Sequence, residues 1–229
     1  AHDFDFRTLS PRVVEDINGN FTKSISDELG CVIATAVMGK GDEADTLEGF
    51  TDMTSALDES LVNQFFSIKE YTQLESVARK LLRGASSRYL YKYNSYDNNA
   101  QPLCCAMIAR EEHYSVNKDS RLQISFEYSN AFGEVILRKV QAETNDGTDS
   151  VRWLGNGRTI KNNKGNAVMQ YEPYFSNTPE YEDAKEIVET GVTPIFHYDA
   201  LGRVIRTDYP DGTYSKVEFD QWKTVVHDQ

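Results

Sequence analysis

Glu180-Tyr181-Glu182 has the most suggestive chemistry in this chain of 229 residues. Two glutamates one residue apart are the catalytic pair used in some ADP-ribosyl transfers from NAD. That reaction also needs an Arg on one strand and a Ser-Thr-Ser on another to grip the nicotinamide side of NAD. The sequence has no Ser-Thr-Ser, and both glutamates fall in a run with Asp183, Glu186 and Glu189 that reads as a solvated face. Gly155-Asn156-Gly157 would need a third Gly at Ile160 to make a dinucleotide fingerprint, and Gly39-Lys40-Gly41 lacks the Ser/Thr and the upstream Gly of a phosphate loop. Asp16-x-Asn18-x-Asn20 opens like a calcium loop, but Phe21 stands at the position that requires Gly. His2, His113, His197 and His227 are scattered without ligand spacing, and His197 is out of phase with Phe196 and Tyr198 on a strand. Cys31, Cys104 and Cys105 read as buried apolar thiols. These residues predict no catalytic group, no cofactor and no metal ligand, and they leave His197 and Glu182 as surface positions whose replacement would change stability little.

The pattern that does recur is structural. An Asp or Asn, two variable residues and a Gly appear at Asp16-Ile17-Asn18-Gly19, Asp27-Glu28-Leu29-Gly30, Asn130-Ala131-Phe132-Gly133, Asn162-Asn163-Lys164-Gly165 and Asp199-Ala200-Leu201-Gly202. A sixth copy, Asp220-Gln221-Trp222-Lys223, has lost its Gly. Asp or Asn at the first position accepts hydrogen bonds from the backbone beyond it, and Gly at the fourth takes a left-handed conformation, which makes a hairpin with a one-residue bulge. The flanks agree: Ile124-Ser125-Phe126-Glu127-Tyr128, Phe196-His197-Tyr198 and Val217-Glu218-Phe219 lead in, while Cys31-Val32-Ile33, Val135-Ile136-Leu137 and Val204-Ile205 lead out. Further turns are signalled at Asn145-Asp146-Gly147, inside an exposed loop over 144–150, and at Tyr209-Pro210-Asp211-Gly212.

Residues 45–85 break this rhythm. Leu57, Leu61, Phe65 and Ile68 mark one face of a helix; Tyr71, Leu74, Val77, Ala78, Leu81 and Leu82 mark a second, closed by Gly84 as a C-cap. A weaker helical turn is suggested over 179–189. The expected organisation is β-hairpins over 1–44, a helical insertion over 45–86 and a β-strip over 87–229, forming one structural unit. The expected fold class is mainly β: an antiparallel meander of short hairpins with a two-helix insertion. Such a strip keeps an exposed edge, which the helices would help to cover.

With 24 basic against 36 acidic residues the formal charge is −12, which disfavours nucleic acid and anionic lipid as partners, and no run approaches the length of a membrane span. The chain opens at Ala1 without Met and ends after Val225-Val226, so a piece of a longer protein is expected.

Phe196-His197-Tyr198-Asp199-Ala200-Leu201-Gly202-Arg203-Val204-Ile205 resembles a YD repeat, aromatic-x-Tyr-Asp-x-x-Gly-Arg-hydrophobic. Pro11-Arg12-Val13-Val14, Asp16-x-Asn18-Gly19-Asn20, the stretch from Gly30 to Lys40 and Asn162-Asn163-Lys164-Gly165-Asn166-x-Val168-x-Gln170-Tyr171-Glu172-Pro173 narrow the likeness. Together they resemble the middle region of the B component of bacterial toxin complexes (Tc toxins), found also in SpvB-like proteins of the Rhs/YD-repeat family. The resemblance implies a segment of an Rhs-type β-shell, built from B and C components, that encapsulates a cytotoxic effector. It implies secretion, with the signal outside this segment. The implied partners are the rest of the B chain, the C component with its enclosed toxin and, through other domains, the A-component pore. Within that family reading, Asp27, Gly30, Asn130, Gly133, Asn162, Gly165, Asp199 and Gly202 are structural turn residues. Tyr198 would bury its ring, and Arg203 would pair with an acid on the next hairpin. The alternative is an extracellular carbohydrate- or cell-surface-binding module using Trp153, Trp222 and the tyrosines as stacking platforms.

Overall fold

The computed structural model describes residues 1–39, 43–92, 102–142, 151–182 and 193–228. The loop expected over 144–150, and all but the start of the helical turn expected over 179–189, lie outside these. Within it, Pro179 and Glu180 are bends.

The chain is an antiparallel meander. Strands β1 (His2–Asp5), β2 (Ser10–Glu15), β3 (Phe21–Ser26) and β4 (Val32–Met38) lead into three helices, α1 (Thr54–Leu57), α2 (Glu59–Ser67) and α3 (Tyr71–Leu82). Strands β5 (Ser87–Lys92), β6 (Leu103–Arg110), β7 (Leu122–Ser129), β8 (Val135–Ala142) and β9 (Arg152–Asn156) continue it. After β10 (Thr159–Lys161) and β11 (Ala167–Gln170), β12 (Tyr174–Ser176) returns to pair with β9. Then come β13 (Ile195–Tyr198), β14 (Val204–Asp208), β15 (Tyr214–Phe219) and β16 (Thr224–His227). A ten-stranded sheet runs in the order β1 to β9 and then β12; a six-stranded sheet runs β10-β11-β13-β14-β15-β16.

The core lies where the helices cover one face of the large sheet. In β6, Cys104, Ala106 and Ile108 point into it; in β7, Leu122, Ile124, Phe126 and Tyr128 do, the period of two that a half-buried strand requires. Leu74, Val77, Ala78, Leu81 and Leu82 of α3 and Phe65 of α2 pack against them. The Phe65 and Phe126 rings stack with centroids 5.8 Å apart, and Trp153 meets Phe126 edge-on at 5.3 Å. Each such ring or aliphatic side chain taken from water stabilises the fold by about 1.5–3 kcal/mol. The helices therefore cover a face and not an edge, because β4 and β5 on either side of the insertion still pair with each other.

Two helical details differ from the sequence pattern. Leu57 is exposed, because the first helix breaks at Asp58 (φ −92°, ψ 4°) and α2 starts in a new phase. Gly84 is not the left-handed cap: Arg83 takes the positive φ of 51° after α3. Gly84 is needed for closeness, since a Cβ there would collide with Cγ2 of Thr46.

The six-stranded sheet is different in kind. Its β10 and β11 pack half-buried Ile160 and Met169 against the core, and no side chain of β13–β16 is buried, so beyond that junction the sheet is a single strand layer.

Candidate functional site

Each Asx-Gly turn is built the same way. At Asp199, Oδ1 accepts the N–H groups of Leu201 and Arg203, both at 2.9 Å, while the Gly202 N–H reaches the Asp199 carbonyl at 3.1 Å. Gly202 has φ +83°, a region that a side chain with a Cβ enters only at a cost. Asp27 accepts from Leu29 and Cys31, Asn130 from Phe132 and Glu134, and Asn162 from Lys164 and Asn166. Gly30, Gly133 and Gly165 likewise have positive φ. The register slips by one residue beside each of these four turns, which is the bulge that lets the next strand twist away. Accepting backbone N–H groups holds the Asp199 carboxyl below the usual carboxylate range, with the Arg203 N–H as the largest cause.

The turns touch one another. Lys161 Nζ meets Glu134 at 2.7 Å, linking the turn at Asn130 to that at Asn162. Lys164 Nζ donates to the Ala200 carbonyl at 2.9 Å, linking the turn at Asn162 to that at Asp199. The Tyr198 hydroxyl donates to the Ala167 carbonyl at 2.5 Å, with its ring half-buried. Arg203 does not reach an acid on the next hairpin. Its Nε binds Asp199 of its own turn at 2.7 Å, and its guanidinium lies over the Phe219 ring at 4.0 Å. The planar guanidinium offers its edge to the carboxylate and its face to the ring, so it bonds backwards and stacks forwards at once.

The Glu-x-Glu pair is not a solvated face throughout. Glu182 Oε2 accepts from Lys139 Nζ at 2.7 Å, and Ser176 Oγ donates to Glu182 Oε1 at 2.9 Å. Lys139 is wholly buried. The signal for this lies in β8, where Lys139 shares the inward phase of Leu137. Arg88 offers the same signal in β5, in phase with buried Leu90. A third polar knot centres on buried Asp45. Its carboxylate accepts from the Tyr114 N–H at 2.6 Å and from Ser86 Oγ, and lies 3.2 Å from His113 Nδ1, which ties both ends of the helical insertion to one loop. His197 Nε2 is exposed and lies 2.7 Å from Asp208. Trp153 is buried in the core, while Trp222 is 91% exposed on the last hairpin tip. Among the described residues, no three His, Cys, Asp or Glu side chains gather to hold a metal ion.

This chain of bulged hairpins with helices laid on one face recurs in solved structures. The chain is similar in fold to a segment of TcdB2-TccC3. The crystal structure of TcdB2-TccC3 matches 99% of this chain and 11% of that one, with TM-score 0.73 and 21% identity. TcdB2-TccC3-Cdc42 gives TM-score 0.71 at 18% identity over 99% of this chain and 13% of that one. The Photorhabdus luminescens Tc holotoxin pore gives 0.67 at 18% identity over the same shares. The chain thus spans about an eighth of the length of these Tc toxin chains. No protein-family model and no curated protein matches the sequence.

Proposed function

We propose that this chain is a non-catalytic wall segment of a secreted bacterial toxin-complex B component, contributing to an Rhs/YD-repeat shell that encapsulates a cytotoxic effector. The observation that carries this reading is the six-stranded sheet without a buried side chain. Ile160 and Met169 join this sheet to the core, and beyond them β13–β16 bury no side chain on either face, which suits a partition between two aqueous compartments better than the covered sheet of a compact domain. Fold similarity to TcdB2-TccC3 over nearly the whole chain supports the same reading. Its partners are then the remainder of the B chain, the C component and its enclosed toxin, and the A-component pore through other domains. Nucleic acid and membrane are not partners of this segment.

The carbohydrate-binding alternative is less well supplied. Trp153 is in the core, and the exposed rings Phe219 and Tyr214 already carry the Arg203 and Arg206 guanidiniums at 4.0 and 4.2 Å.

The experiment is protease protection of the effector in the intact B–C assembly. Wild type should shield the effector from added protease. Removing the strands from β13 to β16 should open the wall and expose it. An effector equally resistant with and without those strands would sink the proposal.

A further inference from the structure

Phe132, Leu201 and Trp222 each stand third in a hairpin turn, and they are 90%, 78% and 91% exposed. They share one rim. β13 and β15 run in the same direction with β14 between them, so the turns at Asp199 and Asp220 leave the sheet on the same side. The contacts of Lys164 with Ala200 and of Lys161 with Glu134 carry that rim on to the turns at Asn162 and Asn130. Single exposed apolar side chains are ordinary on a protein surface, but a row of them at one turn position forms a patch that marks a contact.

The charges of this rim are unevenly answered. Lys161 and Arg203 have Glu134 and Asp199, and Asp220 accepts the N–H of Gln221. Lys164 meets a carbonyl and no carboxylate, and Lys223 has no acidic partner among the described residues. The opposite rim has the converse make-up. There the turns at Asp16 and Tyr209 and the loop before β7 expose Ile17, Tyr209 and Val116. Asp16 and Asp211 accept N–H groups of their own turns, and neither they nor exposed Asp119 has a cationic partner among the described residues. Lys118 of that loop lies over the Tyr114 ring.

Alternate strands of a sheet are about 9–10 Å apart, so the tips on either rim recur at that pitch with a gap of equal width between them. A rim of the second kind therefore fits the first, apolar tip against apolar tip and carboxylate against cation. Packing of one turn on the next is already how this chain joins its two sheets, at Lys161 and at Lys164. We infer that the rim bearing Phe132, Leu201 and Trp222 seats against an acidic-tipped hairpin rim of the same build, the neighbouring course of the wall. This rests on the shell reading, in which the rest of the B chain supplies the further hairpins. The contact is heterologous, one rim against its opposite, so it can be repeated from course to course.

The test places the photo-crosslinking residue p-benzoylphenylalanine at position 222 in the intact B–C assembly and maps the products by mass spectrometry. Crosslinks are expected to acidic hairpin turns in another stretch of the wall. No crosslink, or crosslinks to the enclosed effector or to the A component instead, would overturn the seam. Trp222→Ser combined with Lys223→Glu changes exposed positions alone. It is expected to leave the melting temperature of this chain unchanged and to abolish the shielding of the effector from added protease. Shielding retained in that variant would also overturn the seam. An effector cleaved already in the wild-type assembly would sink the shell reading, while the crosslink map still decides whether the rims meet.

Discussion

Lys139 Nζ lies 2.7 Å from Glu182 Oε2, a pair 43 residues apart in sequence that joins β8 to the segment after β12. Lys139 has no exposed surface, and it also bonds Ser176 Oγ and the Thr178 carbonyl. Removing Glu182 takes a carboxylate away from a cation that has no exposed surface. Glu182→Ala is expected to lower stability in chemical denaturation, by at most about 3–5 kcal/mol. The double variant Lys139→Met/Glu182→Leu should recover most of that loss, because no charge is then stranded. Equal stability of Glu182→Ala and wild type would show that Lys139 finds its counter-charge elsewhere.

Gly202→Val should cost more than about 1 kcal/mol, because a β-branched residue resists φ +83°. Gly202→Asn should cost less, since Asn enters the left-handed region more readily than other side chains. Nothing but Asn166 Nδ2, at 3.5 Å, stands near the added Cβ, so the effect isolates backbone conformation. Equal melting of the Val variant and wild type would remove the turn assignment.

Gly84→Ala tests a different demand, for space. The new methyl would collide with Thr46 Cγ2, and overpacking of this kind costs about 1–3 kcal/mol. Thr46→Ser deletes that methyl, so adding it to Gly84→Ala should return part of the stability. Two variants that add independently would argue against the close approach.

The N-terminal hairpin should show a specific acid sensitivity. The Asp5 carboxyl is pulled from 3.8 to about 2, first by the Arg7 side chain, then by the Arg7 N–H, with Arg12 assisting. A carboxylate depressed in the folded state contributes stability that is complete above its unfolded value and is lost as pH falls through the folded one. Wild type should therefore lose this contribution progressively between about pH 5 and pH 1. Asp5→Asn should be less stable at about pH 6 and approach wild type only below about pH 2. A constant gap between the two across that range, followed by denaturant midpoints, would contradict the linkage.

What was legible in the sequence is what is local. Asp27 to Gly30 and Asp199 to Gly202 carry their own hydrogen-bond partners within four residues, so spacing alone predicts the hairpins. The α3 stripe was legible for the same reason. The first helical stripe was misread at Leu57 because Asp58 interrupts the helix, and what holds Asp58 is Arg83, 25 residues away. Gly84 carried a true signal with a second meaning, since a glycine after a helix serves a left-handed cap or a close neighbour equally well. Lys139 with Glu182 and Arg88 with Ile33 join residues 43 and 55 apart, and no short-range periodicity encodes which distant group answers a buried charge. Only the phase of Lys139 and Arg88 within their strands marked them as unusual.

Every ladder from β13 to β16 joins strands adjacent in sequence. Contacts of such short range make closing each loop inexpensive, so one hairpin can template the next in the order in which a ribosome delivers them. The same arrangement allows a pair of strands to be inserted or removed without rethreading its neighbours. The length of the strip from β13 to β16 is thereby free to change in increments of one hairpin, while the helix-covered core keeps its packing.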